Sequence, residues 1–502
     1  MKNFFCLVLG LVVAALIMIM PESIFISWEI QATAAVTILM IIWWITEAVP
    51  IPVTALVPLV GFPLFSVLTP AEACAPYADK TIFLFLGGFI IAASMQKWNL
   101  HRRIALSIIL LTGTSPRQII LGFMIATAFL SLWISNTATA MMMIPIAVAI
   151  IGTIGVDAFK KESGEEGGLD FAKALVISIA YAASIGGLGT IIGSPPNGIF
   201  LAQLKTLFPD APTIGFVDWM LFGIPLVAIF IPLTWLWLIY GPYRHLPSKL
   251  PQSRDIILQE KKKLGPITTG ERWTLIVFVM TALMWIFSST KKIGEITIPG
   301  LDILFPGIDD STIAMFGAIL LFLLPINIRT HEYTMDWENA LKIPWGILLL
   351  FGGGICLSKA FIKSGLADEL VKHLTALSIL DVLFIVLLVA ILVSFLTEVT
   401  SNTAIASVMM PILAVTSVSL MINPAILMLT AALTASLAFM LPVATPPNAV
   451  AYSTGYLTMR DLMRTGFSLN ILGILLVTLF MYTIVLWALG ISFDLPAWAV
   501  TP

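Results

Sequence analysis

A chain of 502 residues that is 59% hydrophobic and only 11% charged, with a mean hydropathy of +1.02, lacks the roughly 25% charge of a soluble domain and reads as a polytopic membrane protein. Its net charge of −2 supplies no basic field for nucleic acid, which excludes that partner. No Ser-His-Asp, His-Glu-x-x-His or phosphate-loop pattern points to an enzyme or to an organic cofactor.

In chain order, apolar runs predict helical spans near Phe4 to Met20, Gln31 to Thr46, Ile51 to Val67 and Thr81 to Gln96. Further spans follow near Ala174 to Lys205, Trp219 to Tyr240, Trp273 to Ser289, Thr312 to Leu324, Pro344 to Phe361, Pro424 to Thr454 and Phe467 to Leu489. The sum is about eleven crossings, if two remaining apolar segments, near 118–151 and 381–420, are left out of the count. The first run lacks a small-residue cleavage site and reads as a retained helix rather than a signal peptide.

Charge decides how those two segments sit. The 241–272 loop carries Arg244, Lys249, Arg254, Lys261, Lys262 and Lys263, and a second basic group comprises Lys97, Arg102, Arg103 and Arg117. The positive-inside rule places both in the cytoplasm, with Glu22, Glu295, Asp309 and Asp310 outside. All these loops reach their expected side only if 118–151 and 381–420 are re-entrant hairpins, the first entering from the cytoplasm and the second from outside. The N-terminus is then cytoplasmic and the C-terminus outside. No asparagine fits the glycosylation pattern and no organellar targeting segment is evident, so a bacterial inner membrane is expected.

The hairpins carry the same polar signature. Ser135-Asn136-Thr137-Ala138 recurs as Ser401-Asn402-Thr403-Ala404, and Pro145-Ile146 recurs as Pro411-Ile412, both at an offset of 266 residues (401 less 135, 411 less 145). Upstream, Phe129-Leu130-Ser131 matches Phe395-Leu396-Thr397. A second pair follows: Gly193-Ser194-Pro195-Pro196-Asn197 and Ala444-Thr445-Pro446-Pro447-Asn448, offset by 251 (448 less 197). The chain is thus an internal duplication, inverted because its hairpins point oppositely, and inverted repeats are an architecture of secondary transporters.

Two consecutive prolines remove two backbone donors, so each of these spans must break mid-membrane. Such a break is tolerated where the freed groups line an enclosed cavity. Helix N-termini beside Asn and Thr suit an anion, whereas hydroxyls and freed carbonyls suit a small hard cation. Ser131, Ser135, Asn136 and a carbonyl near Gly193 offer one cation site; Thr397, Ser401, Asn402 and a carbonyl near Ala444 offer its twin. No Lys or Arg lies in either motif, so a dianion there needs its charge offset by helix dipoles and bound cations.

These motifs, together with Trp43-Trp44-Ile45-Thr46-Glu47-Ala48 and Gly186-Gly187-Leu188-Gly189-Thr190, resemble the divalent anion/sodium symporter family of di- and tricarboxylate transporters over nearly the whole chain. The resemblance implies a homodimer in the lipid bilayer, with scaffold and transport domains related by an elevator motion. It also implies sodium as coupling ion and a small dianionic carboxylate (succinate, malate or fumarate) as substrate. Asn136, Thr137, Asn402 and Thr403, with Ser194, Pro195, Thr445 and Pro446, are the implied substrate residues, and the two oxygen sets above the implied sodium ligands. A sodium-independent exchanger of di- or tricarboxylates and a symporter of sulfate or another divalent anion are the alternatives.

The expected organisation is scaffold helices over 1–80, a first repeat over 81–240 (hairpin 118–151, broken helix 174–205, scaffold-side helix 219–240) and a cytoplasmic loop over 241–272. Scaffold helices and an interfacial segment over 273–343 precede the second repeat over 344–502 (hairpin 381–420, broken helix 424–454, last span 467–489). Glu398 stands where the first repeat has Leu132, and reads as the holder of a structural ion pair or hydrogen bonds rather than a member of the symmetric site. The glycines at 87–88 and 352–354 read as close helix contacts.

Overall fold

Where each helix starts is set by its capping residues. Ser115 and Gln118 form a capping box that starts Pro116–Ser131, and Asp381 caps Val382–Leu396. Thr268 and Glu271 start Thr269–Ile286 about one turn before the apolar run at Trp273, because buried Glu271 is paired with Arg103 at 2.8 Å and so enters the helix at little cost. The computed structural model describes residues 2–21, 27–113, 115–154, 164–247, 253–293, 296–374 and 381–500. Glu22, Lys249 and Glu295, whose charges enter the topology reading, lie outside the described residues.

Each expected span has a helical counterpart. Among the described residues, seven helices are long and apolar enough to cross a membrane: Trp28–Thr46, Pro70–Lys97, Gly168–Gly186, Phe216–Tyr240, Trp345–Ser364, Asn402–Ser419 and Met459–Tyr482. The other expected spans are shorter or interrupted, such as Ile51–Thr54 with Val57–Leu64, or Pro424–Thr434 with Pro446–Ser453. Asn402–Ser419 meets the length criterion although it is one arm of a hairpin. Two features depart from the sequence reading. The basic 241–272 segment contains a helix, Ser253–Lys263, and the described residues include two short antiparallel ribbons, Lys291–Ile293 with Ile296–Ile298 and Pro325–Asn327 with Glu332–Tyr333.

The duplication is visible in the packing. Lys80–Lys97 lies on Asp310–Leu323, and a Cβ at Gly87 would come within 2.5 Å of the Ala314 backbone. Its repeat mate Gly353, in Trp345–Ser364, would meet the Ala55 carbonyl at 2.6 Å. Both glycines therefore permit backbone-to-backbone contact that any side chain would prevent. The halves also interlock: Pro195–Leu207 packs on Asn402–Ser419, and Pro446–Ser453 packs on Asn136–Ile154. The largest apolar cluster surrounds the hairpins and broken helices, while a second joins Trp28–Thr46 and its neighbours to Trp345–Ser364 through Trp44, Phe62 and Phe361.

Candidate functional site

The hairpin arms Pro116–Ser131 and Asn136–Ile154 are joined by a four-residue turn, 132–135, and Val382–Leu396 is joined to Asn402–Ser419 by 397–401. Polar side chains tie each turn to the neighbouring broken helix. Fully buried Ser131 donates from Oγ to the Ala183 carbonyl at 2.6 Å. The Asn136 amide faces three oxygens: Ser131 Oγ at 2.8 Å, Ala183 O at 3.0 Å and Gly193 O at 3.2 Å. With nitrogen forward it donates to all three; with oxygen forward it completes a knot of oxygens that a cation would satisfy. In the second half Thr397 Oγ1, also fully buried, lies 2.5 Å from Asn402 Oδ1 and 2.9 Å from Ala435 O, two oxygens that share its single proton. The fit is close enough around the first knot that a Cβ on Gly187 would collide with the Asn136 side chain.

Each broken helix is stapled by the asparagine of its Pro-Pro-Asn. Asn197 Nδ2 donates to Gly187 O at 2.9 Å and Thr190 O at 2.8 Å, and Asn448 Nδ2 donates to Ala438 O at 3.0 Å and Leu441 O at 3.1 Å. These amides bond to carbonyls in the non-helical stretch that precedes each proline pair. The two breaks meet where Ser194 Oγ and Ser436 Oγ lie 2.9 Å apart.

One cavity of about 1070 Å³ opens between the hairpins. Asn136, Thr137, Ser194, Pro195, Asn402, Thr403, Thr445 and Pro446 all line it, together with Ser135, Ser401 and Ala444. Four helices therefore begin at its wall: Asn136–Ile154, Pro195–Leu207, Asn402–Ser419 and Pro446–Ser453. Their N-termini present partial positive charge to one space, and the first amides of the hairpin arms Asn136–Ile154 and Asn402–Ser419 have no partner within their own helix. The basic side chains on the cavity wall are Lys97 and Lys342, at the end bounded by the last turn of Lys80–Lys97 and the segment before Trp345. Lys97 is held there by Asp336 at 2.8 Å.

All eight residues expected to meet substrate thus share one wall. Among the expected cation ligands, Ser131, Asn136 and the Gly193 carbonyl come together, as do Thr397 and Asn402, whereas Ser135, Ser401 and Ala444 stand on the cavity side of those knots. The carbonyls of Ala183 and Ala435 are additional members that motif reading misses, because every residue carries a carbonyl and no side chain announces it. Glu398 holds hydrogen bonds to backbone amides and to Asn470.

A family model described as the sodium:sulfate symporter transmembrane region matches residues 1–490. A protein of Staphylococcus saprophyticus named sodium-dependent dicarboxylate transporter SdcS is 42% identical over 504 positions, covering 98% of this chain and 93% of the relative. A Staphylococcus aureus protein of the same name is 41% identical over 494 positions, covering 97% and 93%. Among solved structures, the YdaH transporter of Alcanivorax borkumensis superimposes with a TM-score of 0.57 at 14% identity, covering 86% of this chain and 89% of that one. MtrF of Neisseria gonorrhoeae gives a TM-score of 0.55 at 10% identity, covering 84% of each. At such identities these two structures speak to the fold alone.

Proposed function

The chain belongs to the sodium:sulfate symporter transmembrane family, and from that premise we propose that it is a sodium-coupled symporter carrying C4-dicarboxylates such as succinate, malate and fumarate into the cell. The observation that carries this reading is the single cavity walled by both Ser-Asn-Thr tips and both Pro-Pro breaks, with an oxygen knot behind each tip. Asn136 with Thr137, and Asn402 with Thr403, offer one polar pair to each end of a dicarboxylate, which favours a two-headed substrate over sulfate. Sodium ions at Ser131, Ser135, Asn136 and Gly193, and at Thr397, Ser401, Asn402 and Ala444, would offset the charge of a dianion that meets no basic side chain among the motif residues. Binding of ion and substrate is then linked, each tightening the other by the same factor.

The protein is further read as a homodimer in the bilayer with a cytoplasmic N-terminus and an external C-terminus. Lys97 and Lys342 on the cavity wall agree with an inward-facing state under the positive-inside rule. Hairpins, broken helices, Phe216–Tyr240 and Met459–Tyr482 form the transport domain that moves as an elevator; Phe216–Tyr240, expected from the sequence on the scaffold side, is assigned here because it packs on Pro116–Ser131, Gly164–Gly186 and Met459–Tyr482. The scaffold includes Lys80–Lys97 and Trp345–Ser364 as well as 1–80 and 273–343, because Gly87 and Gly353 seat those two helices directly on scaffold backbone. Titration calorimetry of succinate into the purified protein in sodium and in choline chloride tests the coupling. Sodium is expected to tighten succinate; equal affinities together with sodium-free exchange of internal for external succinate would replace symport by exchange.

A further inference from the structure

The two halves of the site differ in charge at one place. In the second half, Glu398 is 3% exposed and lies next to Thr397 in the hairpin turn. Its Oε1 accepts from Phe439 N at 2.8 Å, Met440 N at 3.0 Å and Asn470 Nδ2 at 2.7 Å, and its Oε2 accepts from Met440 N and Leu441 N, each at 3.1 Å. Each of these partners is a donor, the environment of a carboxylate. In the first half the repeat position is Leu132, and a Cβ on Gly189 would touch both Leu132 and Val227. An apolar side chain thus stands where the second half has the Glu398 carboxylate.

The backbone follows this difference. In the first half Leu188 N and Gly189 N still bond back to Ile185 O and Gly186 O, and the helix runs to Gly186. The 251-residue offset relates Gly186 to Leu437, yet the second helix ends at Thr434, three residues sooner. The amides repeat-related to Leu188 and Gly189, those of Phe439 and Met440, bond to Glu398 instead. Glu398 has drawn these donors off the helix and so widened the second break.

We propose that Glu398 makes the two cation sites unequal: its carboxylate holds the second break open and sets a fixed negative charge beside Thr397 and Asn402, so that the second site takes its cation more tightly than the first. Glu398 is a positioning residue in this account, acting on the cation through the turn it organises. The inference rests on the sodium-coupled reading above.

Thermal stability of the full-length protein, titrated with sodium against choline without substrate, reads each site separately, because a ligand stabilises the folded state according to its affinity. Ser135→Ala leaves the second site intact and Ser401→Ala the first. The half-saturating sodium concentration is expected to be lower in Ser135→Ala than in Ser401→Ala by roughly tenfold or more, the scale of a unit charge nearby in a low-dielectric site. Equal midpoints, or the reverse order, overturn the proposal, and this comparison needs no change at Glu398. Adding Glu398→Gln should raise the midpoint in the Ser135→Ala background and leave it unmoved in Ser401→Ala, with Glu398→Asp restoring it in part. A packing role alone would lower melting in choline equally in both backgrounds and shift neither midpoint, which also overturns the proposal. Absence of any sodium-specific stabilisation in the unaltered protein is a separate outcome and removes the symporter reading itself.

Discussion

Thr137 and Thr403 line the cavity, while Ser131 and Thr397 lie fully buried behind it, so hydroxyls six residues apart along each hairpin face different partners. Under the proposed assignment, that division separates substrate contacts from cation contacts. Replacing Thr137 or Thr403 by valine keeps the shape but leaves a carboxylate oxygen without its donor, at a cost of about 1–3 kcal/mol. Succinate affinity measured by calorimetry should therefore fall roughly tenfold to a hundredfold in each variant. Unchanged affinity in both would dismiss the assignment. These threonines were legible in the sequence because a polar residue inside apolar sequence is costly and a duplicated one more so. Ala183, Ala435 and Ser436 were not: the alanines contribute carbonyls, and Ser436 has no repeat partner to mark it.

At the level of elements, the Pro-Pro pairs correctly located both breaks, but not their lengths. The second break runs from Thr434 to Pro446 because its amides are held by Glu398, a partner distant in sequence, and the one-turn-earlier start of Thr269–Ile286 likewise depends on Arg103 from another helix. Local pattern shows where a helix must stop and cannot show which remote side chain receives the groups set free. The asparagine of each Pro-Pro-Asn now has a definite task. Asn448→Ala strips hydrogen bonds from the Ala438 and Leu441 carbonyls in the membrane interior, and Asn197→Ala does the same to Gly187 and Thr190. Thr190 O and Leu441 O keep the Gly193 and Ala444 amides, whereas Gly187 O and Ala438 O lose their donor; an orphaned carbonyl costs about 1–3 kcal/mol, so both variants should melt at clearly lower temperature in detergent, with sodium and without it. A melting point equal to that of the unaltered protein would show that other groups fill the breaks.

For the whole molecule, an elevator requires a surface on which the transport domain slides against the scaffold. The second piece of the first broken helix, Pro195–Leu207, meets Lys80–Lys97 and Trp345–Ser364, and under the proposed division that contact is such a surface. There Phe85 and Phe351 pack at 4.7 Å between ring centroids, and Gly198 presses against both. A Cβ at Gly198 would collide with Phe85 and come within 2.7 Å of Phe351 Cε1, so the conformation described here demands glycine. If the transport domain moves, Gly198 leaves this aromatic pair when the cavity turns outward. Gly198→Val then penalises only the inward-facing state; overpacking of this kind costs about 1–3 kcal/mol, and the population shifts outward by roughly fivefold to a hundredfold. Val443, 79% exposed on the cavity wall, reports the change as Val443→Cys once Cys6, Cys74 and Cys356 are replaced by alanine. Labelling of that cysteine by a membrane-impermeant thiol reagent should fall in inside-out vesicles and rise in right-side-out cells when Gly198→Val is added. Loss of labelling from both sides would mean that the substitution disrupts a static interface, and the elevator assignment would fail with it.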